Sequence, residues 1–568
     1  MIDYSHLQSL PGMWDIVAQK FPEIFAVKDV HVSPAVNLTY PQLWQKIKLF
    51  AATLQYLGIK PQTTISLFAD NSSRWLIADQ GIMAAGAVNT VRSSQADKEE
   101  LLYILQDSNS KGLVVENLKT WQSLQPEIEQ LDLELVILLS DETVPETSLK
   151  TLNFAQVLNI GEKQQWQPVP QTRNTLATLI YTSGTTGKPK GAMLSHGNLI
   201  HQINAIKNII QPEPGDRALS ILPSWHAYER TCEYFLFSQG ATLIYTNLRS
   251  LKQDLVKFQP QYMVGVPRLW ESLYEGIQKQ LRNKPPAQQK LINFFFSISE
   301  RYIDAKRIVT GLSLENLHPS PKEKLLALVQ VVLLAPLHKL GDKIVYRKIR
   351  QATGGKIKTL ISGGGSLAQH LDKFYEIINV PVLVGYGLTE TSPVATARTI
   401  AHNLRGSSGR PLPGVEICVV EPQSKKILPP ETKGLILIRG ENVMQGYYNK
   451  PEATAKAIDS AGWFDSGDLG FVTATGDLVI TGRAKDTIVL SNGENIEPQP
   501  IEDACLRSPY IEQIMLVGQD QRALGALIVP NLDNLKAWAE ANQLKLTFPS
   551  QTDSISAIKQ SDLYSKPV

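Results

Sequence analysis

The residues best suited to chemistry lie between Tyr181 and Gly191, which read Tyr-Thr-Ser-Gly-Thr-Thr-Gly-Lys-Pro-Lys-Gly. Glycines let the backbone turn sharply and approach a ligand closely, and successive backbone N–H groups can then form an anion-binding nest. Hydroxyl and ammonium groups add donors and positive charge for phosphate oxygens or a phosphate-bound Mg²⁺. The groups concerned are Thr182, Ser183, Gly184, Thr185, Thr186, Gly187, Lys188 and Lys190. The stretch is therefore predicted to bind polyphosphate.

Two other interpretations of this loop are weaker. A flexible Ser/Thr/Gly surface turn is common in long chains. A P-loop NTPase needs Gly-x4-Gly-Lys-Ser/Thr, whereas Pro189 follows Lys188 here. All positions of the stretch instead resemble the phosphate loop of the adenylate-forming superfamily, which includes acyl-CoA synthetases, luciferases and the adenylation domains of peptide synthetases. The resemblance implies ATP and Mg²⁺ as cofactors, Lys188 as a catalytic cation and Thr185 as a metal contact.

A second candidate is His226, in the word Leu222-Pro-Ser-Trp-His-Ala-Tyr-Glu-Arg. Taken alone, a histidine is more often a packed or surface residue than a functional one. The word resembles the superfamily's Leu-Pro-x-x-His-x-x-Glu. The resemblance implies that His226 lies between the substrate carboxylate and the nucleotide and orients that carboxylate.

Two predicted strands end in glycine-rich turns. The first leads into Ser362-Gly-Gly-Gly, where a flat ring could slide against the backbone at Gly364 and Gly365. The second ends in Gly385-Tyr-Gly-Leu-Thr-Glu-Thr. The resemblance implies that Tyr386 packs on adenine, that the Thr389 hydroxyl contacts the α-phosphate, and that the Glu390 carboxylate holds Mg²⁺.

Further along the chain, Gly462-Trp-Phe-Asp-Ser-Gly-Asp-Leu-Gly and Thr481-Gly-Arg-Ala-Lys-Asp resemble two more superfamily words. They imply ribose contacts from Asp468 and Arg483 and a catalytic pivot at Lys485, about which the small domain rotates between half-reactions. The superfamily's C-terminal lysine, in a Gly-x-x-Thr-x-Thr-x-Lys-like word, has no match in this sequence. The small domain is therefore expected to be incomplete, either truncated or naturally shortened.

Composition excludes several classes of protein. With 568 residues and 43% hydrophobic content the chain is long enough for at least two globular units. A net charge of +2 gives no general attraction to nucleic acid. Three widely spaced cysteines, and an N-terminus without signal or transit features, predict structural thiols in a cytoplasmic protein. The sequence has no run of about 20 uninterrupted apolar residues, so a membrane-spanning helix is not expected.

The elements that must position these residues alternate between short β-rich runs and helical periodicity. Strands are predicted at 64–69, 86–91, 111–115 and 136–139, and helices between them, which favours a mostly parallel α/β sheet. With the resemblance, the expected fold is a large N-terminal domain, 1–482, of α/β subdomains plus a β-rich one. A small α+β cap, 483–568, follows it.

Residues 282–350 form the most distinctive segment, with thirteen lysines and arginines against five acidic residues around apolar runs. An amphipathic insert that meets anionic lipid headgroups is one interpretation. A helical subdomain with a solvated basic face and a docking surface for an acidic carrier protein are the others. All three stay open at this point.

The resemblance extends from about residue 38 to about residue 530 and is strongest with the long-chain acyl-acyl carrier protein synthetases of cyanobacteria and plastids. It implies that a long-chain fatty acid is activated as acyl-adenylate and transferred to the phosphopantetheine thiol of acyl carrier protein. A long-chain acyl-CoA synthetase is the alternative within the class. A non-catalytic nucleotide- or fatty-acid-binding protein is the alternative outside it, because of the missing lysine.

Overall fold

The computed structural model describes residues 1–144, 148–182, 188–491 and 494–544. It contains two compact units. The larger comprises Met1–Ser466 and Gly470–Ile480, and the smaller comprises Gly467–Leu469 together with the chain from Thr481 onward. The predicted α/β architecture, with a large N-terminal and a small C-terminal part, is confirmed.

Local signals explain where many elements begin. Helix 40–56 starts at Thr39, whose side chain and that of Gln42 form a capping box, with Pro41 in the first turn. The next helix is capped by the Ser72 hydroxyl, which accepts from the Trp75 N–H. The strands predicted at 64–69, 86–91, 111–115 and 136–139 and the helices between them all occur, with ends shifted by a few residues.

The first half of the larger unit contains nine strands and seven helices among the described residues. They are α1 (Gly12–Lys20), β1 (Phe25–Asp29), β2 (Val36–Thr39), α2 (Tyr40–Tyr56), β3 (Thr64–Phe68), α3 (Ser73–Ala84), β4 (Val88–Arg92), α4 (Lys98–Asp107), β5 (Gly112–Val115), α5 (Leu118–Leu124), β6 (Leu135–Leu138), β7 (Lys150–Asn153), α6 (Phe154–Glu162), β8 (Leu176–Thr182), β9 (Lys190–Ser195) and α7 (His196–Ala205).

The second half of that unit continues to residue 480. Its elements are β10 (Arg217–Ser220), α8 (Ala227–Ser238), β11 (Thr242–Tyr245), α9 (Leu251–Phe258), β12 (Tyr262–Gly265), α10 (Pro267–Arg282), α11 (Pro286–Thr310), α12 (Pro321–Gly341), α13 (Arg347–Ala352), β13 (Thr359–Ser362), α14 (Gln369–Ile377), β14 (Val382–Gly387), β15 (Val394–Ala397), β16 (Arg410–Pro411), β17 (Val415–Val420), β18 (Gly434–Gly440), α15 (Pro451–Ala457), β19 (Phe464–Val472) and β20 (Leu478–Arg483).

Two large sheets carry the site. One has the strand order β7-β6-β5-β3-β4-β8-β9, parallel except for the β8–β9 pair. The other has the order β16-β15-β14-β13-β12-β10-β11-β1-β2, with a parallel centre from β14 to β1. A four-stranded sheet, β17-β18-β19-β20, is the β-rich part. Ligands of parallel sheets bind at the carboxyl ends of strands. Every predicted site motif of the larger unit follows the carboxyl end of a strand, namely β8, β10, β13 or β14.

The insert forms a helical hairpin in which α11 packs against α12. Helix α12 begins at a Ser320/Glu323 capping box and continues, through a short π-helical turn, into α13. By length and composition alone, 321–352 could cross a membrane, and little of its apolar stretch is buried. The sequence prediction required an uninterrupted apolar run and so did not select this segment.

The smaller unit contains a short antiparallel pair, β21 (Ile488–Val489) with β22 (Asn495–Ile496), followed by α16 (Pro498–Cys505). An antiparallel hairpin, β23 (Ile511–Val517) and β24 (Gly525–Pro530), and helix α17 (Leu532–Ala541) complete it.

Candidate active site

The predicted phosphate loop is held by the hairpin of β8 and β9. Thr182 pairs with Lys190 in the antiparallel register, so the two ends of the loop are fixed to each other. Ser183, Gly184, Thr185, Thr186 and Gly187 lie outside the described residues. Lys188 is exposed, with its Nζ 5.2 Å from the ring centroid of Tyr103.

Asp107, at the end of α4, anchors the base of this loop. Its carboxylate accepts from the Tyr181 hydroxyl at 2.8 Å, the Tyr103 hydroxyl at 3.1 Å and Lys450 Nζ at 2.6 Å. Burial, and then the hydrogen bond to Asp107, raises the pKa of Tyr181. The hydroxyl of Tyr103 also donates to the Pro189 carbonyl. Both sides of the loop are thus tied to one carboxylate.

Glu390 lies next to the loop, in a single helical turn after β14. Its side chain is buried, with 9% of the residue exposed. Oε1 accepts from the Tyr447 hydroxyl at 2.9 Å and from Thr182 Oγ1 at 3.4 Å. Lys190 Nζ lies 4.5 Å from the Tyr447 ring centroid. Thr182 and Lys190, from the predicted phosphate loop, and Glu390, from a separate motif, therefore meet around Tyr447, which the sequence analysis did not select.

Backbone pairing explains why Tyr447 reaches this place. The N–H groups of Met193 and Tyr448 donate to the carbonyls of Gly446 and Gly191, which joins the 446–448 segment to β9. The Met444 N–H donates to the Glu390 carbonyl. Burial, and then the Glu390 charge, raises the pKa of Tyr447, so its hydroxyl stays protonated and donates.

A cavity of about 340 Å³ lies beside this polar cluster. Its polar lining includes His226, Tyr386 and Thr389, and Gly364 also borders it. Most of the remaining wall is apolar, with Ile206, Ile209, Ile210, Leu236, Val264 and Leu383 among its members. A mostly apolar cavity with a few convergent polar groups is the usual form of a small-molecule site.

Backbone geometry explains two glycines of the cavity wall. A Cβ on Gly387 would lie 1.8 Å from the Pro393 carbonyl oxygen, so no other residue fits there without a backbone shift. Gly364 has φ +73°, which favours glycine. Gly365 follows it, with room for a Cβ against Pro267. The glycine-rich turns that the sequence singled out therefore border one cavity.

His226 immediately precedes α8 and its ring lies beside Trp225, with 4.1 Å between ring centroids. Although the residue as a whole is exposed, partial burial of the imidazole and then the charge of Arg92 lower its pKa to about 4. The imidazole is therefore neutral at pH 7. It can donate one hydrogen bond and accept one at the cavity mouth.

Helix α8 is locked in place by a fully buried network. The Arg230 guanidinium donates to Tyr234, Asp79, Asn89 and Thr178, and Asp79 forms an ion pair with it. These partners lie on α8, α3, β4 and β8, so the network joins the helix to the first sheet. Because His226 begins this helix, the network also fixes its backbone.

Two buried glutamates of α8 lie under the cavity wall. Glu233 accepts from the hydroxyls of Ser220 and Ser224, each at 2.9 Å. Burial raises the pKa of Glu233 to about 8, and burial together with Glu233 raises that of Glu229. Burial therefore disfavours the charged form of both carboxyls, and Glu229 forms part of the cavity wall.

In the smaller unit, Asp468 Oδ1 lies 3.1 Å from Arg483 Nε. Asp468 is buried and Arg483 is largely exposed. Lys485 follows two residues after Arg483, where β20 ends. The two predicted ribose contacts are thus neighbours within this unit.

Among the described residues, no group of three or more His, Cys, Asp or Glu side chains could hold a metal ion. Such a cluster is not needed for nucleotide-bound Mg²⁺, which takes one or two carboxylates plus phosphate oxygens and water. Glu390, whose Oε2 makes no hydrogen bond to the described residues, fits this role. The three cysteines are free thiols, as predicted.

Comparison with known proteins agrees with this geometry. The family model described as AMP-binding enzyme matches residues 14–448, and that of the AMP-binding enzyme C-terminal domain matches 485–550. A chloroplastic long-chain-fatty-acid–[acyl-carrier-protein] ligase of Arabidopsis thaliana is 43% identical over 559 residues, covering 93% of this chain and 77% of the relative. A long-chain-fatty-acid–CoA ligase of Mycobacterium tuberculosis is 29% identical over 514 residues, covering 89% and 79%.

Solved structures share the fold. An anthranilate CoA ligase in complex with anthranoyl-AMP has a TM-score of 0.70 at 18% identity, covering 97% of this chain and 89% of that one. ATP-bound MatB from Rhodopseudomonas palustris has a TM-score of 0.68 at 19% identity, covering 96% and 94%.

Proposed function

Because the chain belongs to the AMP-binding enzyme family, we propose that it activates long-chain fatty acids with ATP and transfers the acyl group to the thiol of acyl carrier protein. The observation that carries this proposal is the apolar cavity of about 340 Å³ bordered by His226, Tyr386 and Thr389. An alkyl chain suits its apolar wall, and a carboxylate suits the hydrogen-bonding border formed by His226 and Thr389.

The proposed chemistry has two steps. A carboxylate oxygen of the fatty acid attacks the α-phosphorus of ATP, and the bond to pyrophosphate breaks. The thiol sulfur then attacks the acyl carbon, AMP leaves and the thiol proton passes to solvent. Adenylation is needed because a free carboxylate has no good leaving group, whereas the mixed anhydride formed with AMP releases AMP when the thiol attacks.

Residues of the larger unit hold the nucleotide in this proposal. Tyr386 and the backbone at Gly364 and Gly365 contact the adenine, and the Thr389 hydroxyl contacts the α-phosphate. The triphosphate is bound by Thr182, Ser183, Gly184, Thr185, Thr186, Gly187, Lys188 and Lys190. Support comes from the pairing of Thr182 with Lys190 at the mouth of the loop and from the position of Tyr386, Gly364 and Thr389 on one cavity.

Glu390, with Thr185, would hold Mg²⁺. When bound, the ion offsets negative charge on the pyrophosphate as it leaves. Tyr447 and Thr182 orient the Glu390 carboxylate through Oε1 and leave Oε2 for the metal. Asp468 and Arg483 bind the ribose, and Lys485 is the pivot between the half-reactions. The ion pair of Asp468 with Arg483 is consistent with their acting together.

His226 orients the fatty carboxylate. A neutral imidazole donates one hydrogen bond to it without forming an ion pair, so the carboxylate oxygen keeps its nucleophilicity. The lowered pKa of His226 supports this role over that of a fixed cation.

The choice of acyl carrier protein over CoA is supported by the 43% identity to a relative named for that acceptor, against 29% to one named for CoA. The test is single-turnover transfer from preformed palmitoyl-adenylate. Offered both thiols at equal concentration, the enzyme should acylate carrier protein predominantly. Equal use of CoA would overturn the acceptor assignment and leave fatty-acid activation standing.

We also propose peripheral contact with a membrane through 282–350, because α12 exposes a row of large apolar side chains. Leu325, Leu326, Leu328, Val329, Val332, Leu333, Leu337 and Leu340 are all more than a third exposed. Exposed lysines flank them, Lys322 and Lys324 before and Lys339 and Lys343 after. Apolar side chains between lysines suit the boundary between acyl chains and anionic headgroups.

A further inference from the structure

Trp225 contacts two residues of different character at the mouth of the cavity. Its ring centroid lies 4.1 Å from that of His226, with 33° between the planes. The guanidinium carbon of Arg92 lies 4.9 Å from the Trp225 ring centroid. Arg92 ends β4 and Trp225 precedes α8, so the three side chains connect an element of the first sheet to the cavity.

Arg92 and the backbone that carries Trp225 are each held by further contacts. Arg92 forms an ion pair with Glu100 at 2.8 Å, and both side chains are about four-fifths buried. Beside Trp225, the Ser224 N–H donates to Asn71 Oδ1 at 2.7 Å, and the Asn71 amide donates to the Leu222 carbonyl at 2.6 Å. The backbone that carries Trp225 is thus pinned on the side away from α8.

The imidazole of His226 makes no hydrogen bond to any described residue. The hydrogen bonds of this residue are made by its backbone: its N–H donates to the Pro223 carbonyl, and its carbonyl accepts from the Arg230 N–H. Its ring plane is therefore set by contact with Trp225. A ring held in this way keeps both nitrogens available for a ligand, whereas a hydrogen bond to protein would occupy one of them.

We infer that Trp225 and Arg92 are positioning residues, which together hold the His226 ring in the plane and charge state that the fatty carboxylate requires. This inference rests on the proposed role of His226 in fatty-acid activation. Trp225 supplies the flat surface that sets the ring, and Arg92 supplies a fixed cation that orders the indole and disfavours a second positive charge at His226.

Electrostatics around the ring agree with this assignment. Arg92 is the charged group from a neighbouring element that acts on His226, and it adds to the effect of lost solvent in lowering the pKa to about 4. On α8 itself, Glu229 and Glu233 are buried, and burial raises the pKa of both carboxyls. Among the described residues, no carboxylate contributes an opposing effect at His226.

The test uses Trp225→Leu, Trp225→Phe and Arg92→Met in the full chain. Arg74→Met is the matched control, because Arg74 also lies over an aromatic ring, that of Phe154 at 4.7 Å, and also pairs with a carboxylate, that of Asp141. The first readout is independent of activity: an NMR pH titration of labelled histidine, with His226→Ala identifying the signal. The second is fatty-acid-dependent pyrophosphate release.

We expect the pKa of His226 to rise by a unit or more toward the ordinary 6.5 in Trp225→Leu and Arg92→Met, and to stay unchanged in Arg74→Met. In Trp225→Leu we expect kcat for pyrophosphate release to fall about tenfold with an unchanged KM for ATP, because ring orientation and not nucleotide binding is lost. Trp225→Phe should restore most of that rate, because it keeps a flat ring.

An unchanged His226 pKa in both variants would overturn the inference, as would a Trp225→Phe rate no better than that of Trp225→Leu. If the unaltered chain releases no pyrophosphate with any fatty acid, the proposed function fails. The titration then still decides whether Trp225 and Arg92 control His226. The two failures are therefore distinguishable.

Discussion

Two apolar surfaces of the larger unit differ in shape and surroundings. The cavity beside Glu390 is concave, encloses about 340 Å³ and has polar groups on part of its lining. The surface of α12 is convex, with Leu326 66% and Leu333 67% exposed, and is flanked by lysines.

The difference indicates what each surface can bind. A concave apolar wall with a histidine and a threonine on its lining, and a buried carboxylate next to it, can select one molecule and act on it. A convex row of leucines has no such convergence and suits an extended apolar phase, while large exposed apolar patches are uncommon on proteins that work free in water. The first surface thus suits the proposed catalysis, and the second suits the proposed membrane contact.

The largest effect should come from removing the polar end of the cavity. Glu390→Ala is expected to lower palmitate-dependent ATP–pyrophosphate exchange by about a hundredfold or more, because a charge-stabilising group is lost. Glu390→Gln should behave similarly, since the amide is neutral. Tyr447→Phe, which keeps the carboxylate but removes one donor to it, should lose less than tenfold. Near-normal exchange in Glu390→Ala would contradict the proposed metal role.

A change on the convex surface should affect location without affecting chemistry. The pair Leu326→Glu and Leu333→Glu is expected to reduce binding to phosphatidylglycerol vesicles at least tenfold, since each leucine loses about 1.5–3 kcal/mol of burial. Sedimentation with vesicles measures this, and exchange with dispersed palmitate should be unchanged.

The matched control for that change is Leu248→Glu with Ile427→Glu, two isolated apolar residues that are 76% and 77% exposed. These should leave vesicle binding unaltered. Vesicle binding that survives the α12 changes, or is lost equally in the control, would reject membrane contact through the hairpin.

A smaller effect is expected from narrowing the cavity. Ala397 is buried and lines it, so Ala397→Leu should raise the KM for palmitate about tenfold while that for octanoate changes little. Overpacking costs typically 1–3 kcal/mol of folding stability, and the octanoate rate of the same variant serves as the control for this. Equal losses with both acids would mean that the alkyl chain binds elsewhere.

The smallest effect is a pH dependence. His226 has a lowered pKa, so its neutral form predominates above about pH 4 and is lost as the pH falls through that value. Between pH 8 and pH 5.5, the activity ratio of the unaltered chain to His226→Gln should therefore change less than twofold. A transition near pH 6.5 in that ratio would show an ordinary histidine and contradict the structure.

Sequence alone predicted those parts of the site that are local. The loop after β8, the motif around His226 and the turn with Thr389 and Glu390 each lie within about ten residues, so the resemblance of each short motif to the superfamily was enough to select them. The alternation of strands and helices likewise predicted the α/β class.

The contacts between these words could not be predicted, because they depend on strand order. Glu390 and Tyr447 are 57 positions apart, and Asp107 and Lys450 are 343 apart. Placing Arg92 beside Trp225 requires knowing that β4 lies next to β8 in one sheet and that α8 packs against it. The hydrophobic periodicity of a sequence shows where strands lie along the chain but not their order in a sheet. Composition predicted a basic and apolar insert but not which leucines would face outward.

The most direct test of the proposed function is single-turnover adenylation, in which the chain is mixed with ATP, Mg²⁺ and labelled palmitate and then given carrier protein and CoA together. We predict palmitoyl-adenylate in the first step and acylated carrier protein as the main product of the second. Absence of adenylate, with ATP and palmitate both bound, would contradict activation of fatty acids and favour a protein that binds these ligands without reacting them.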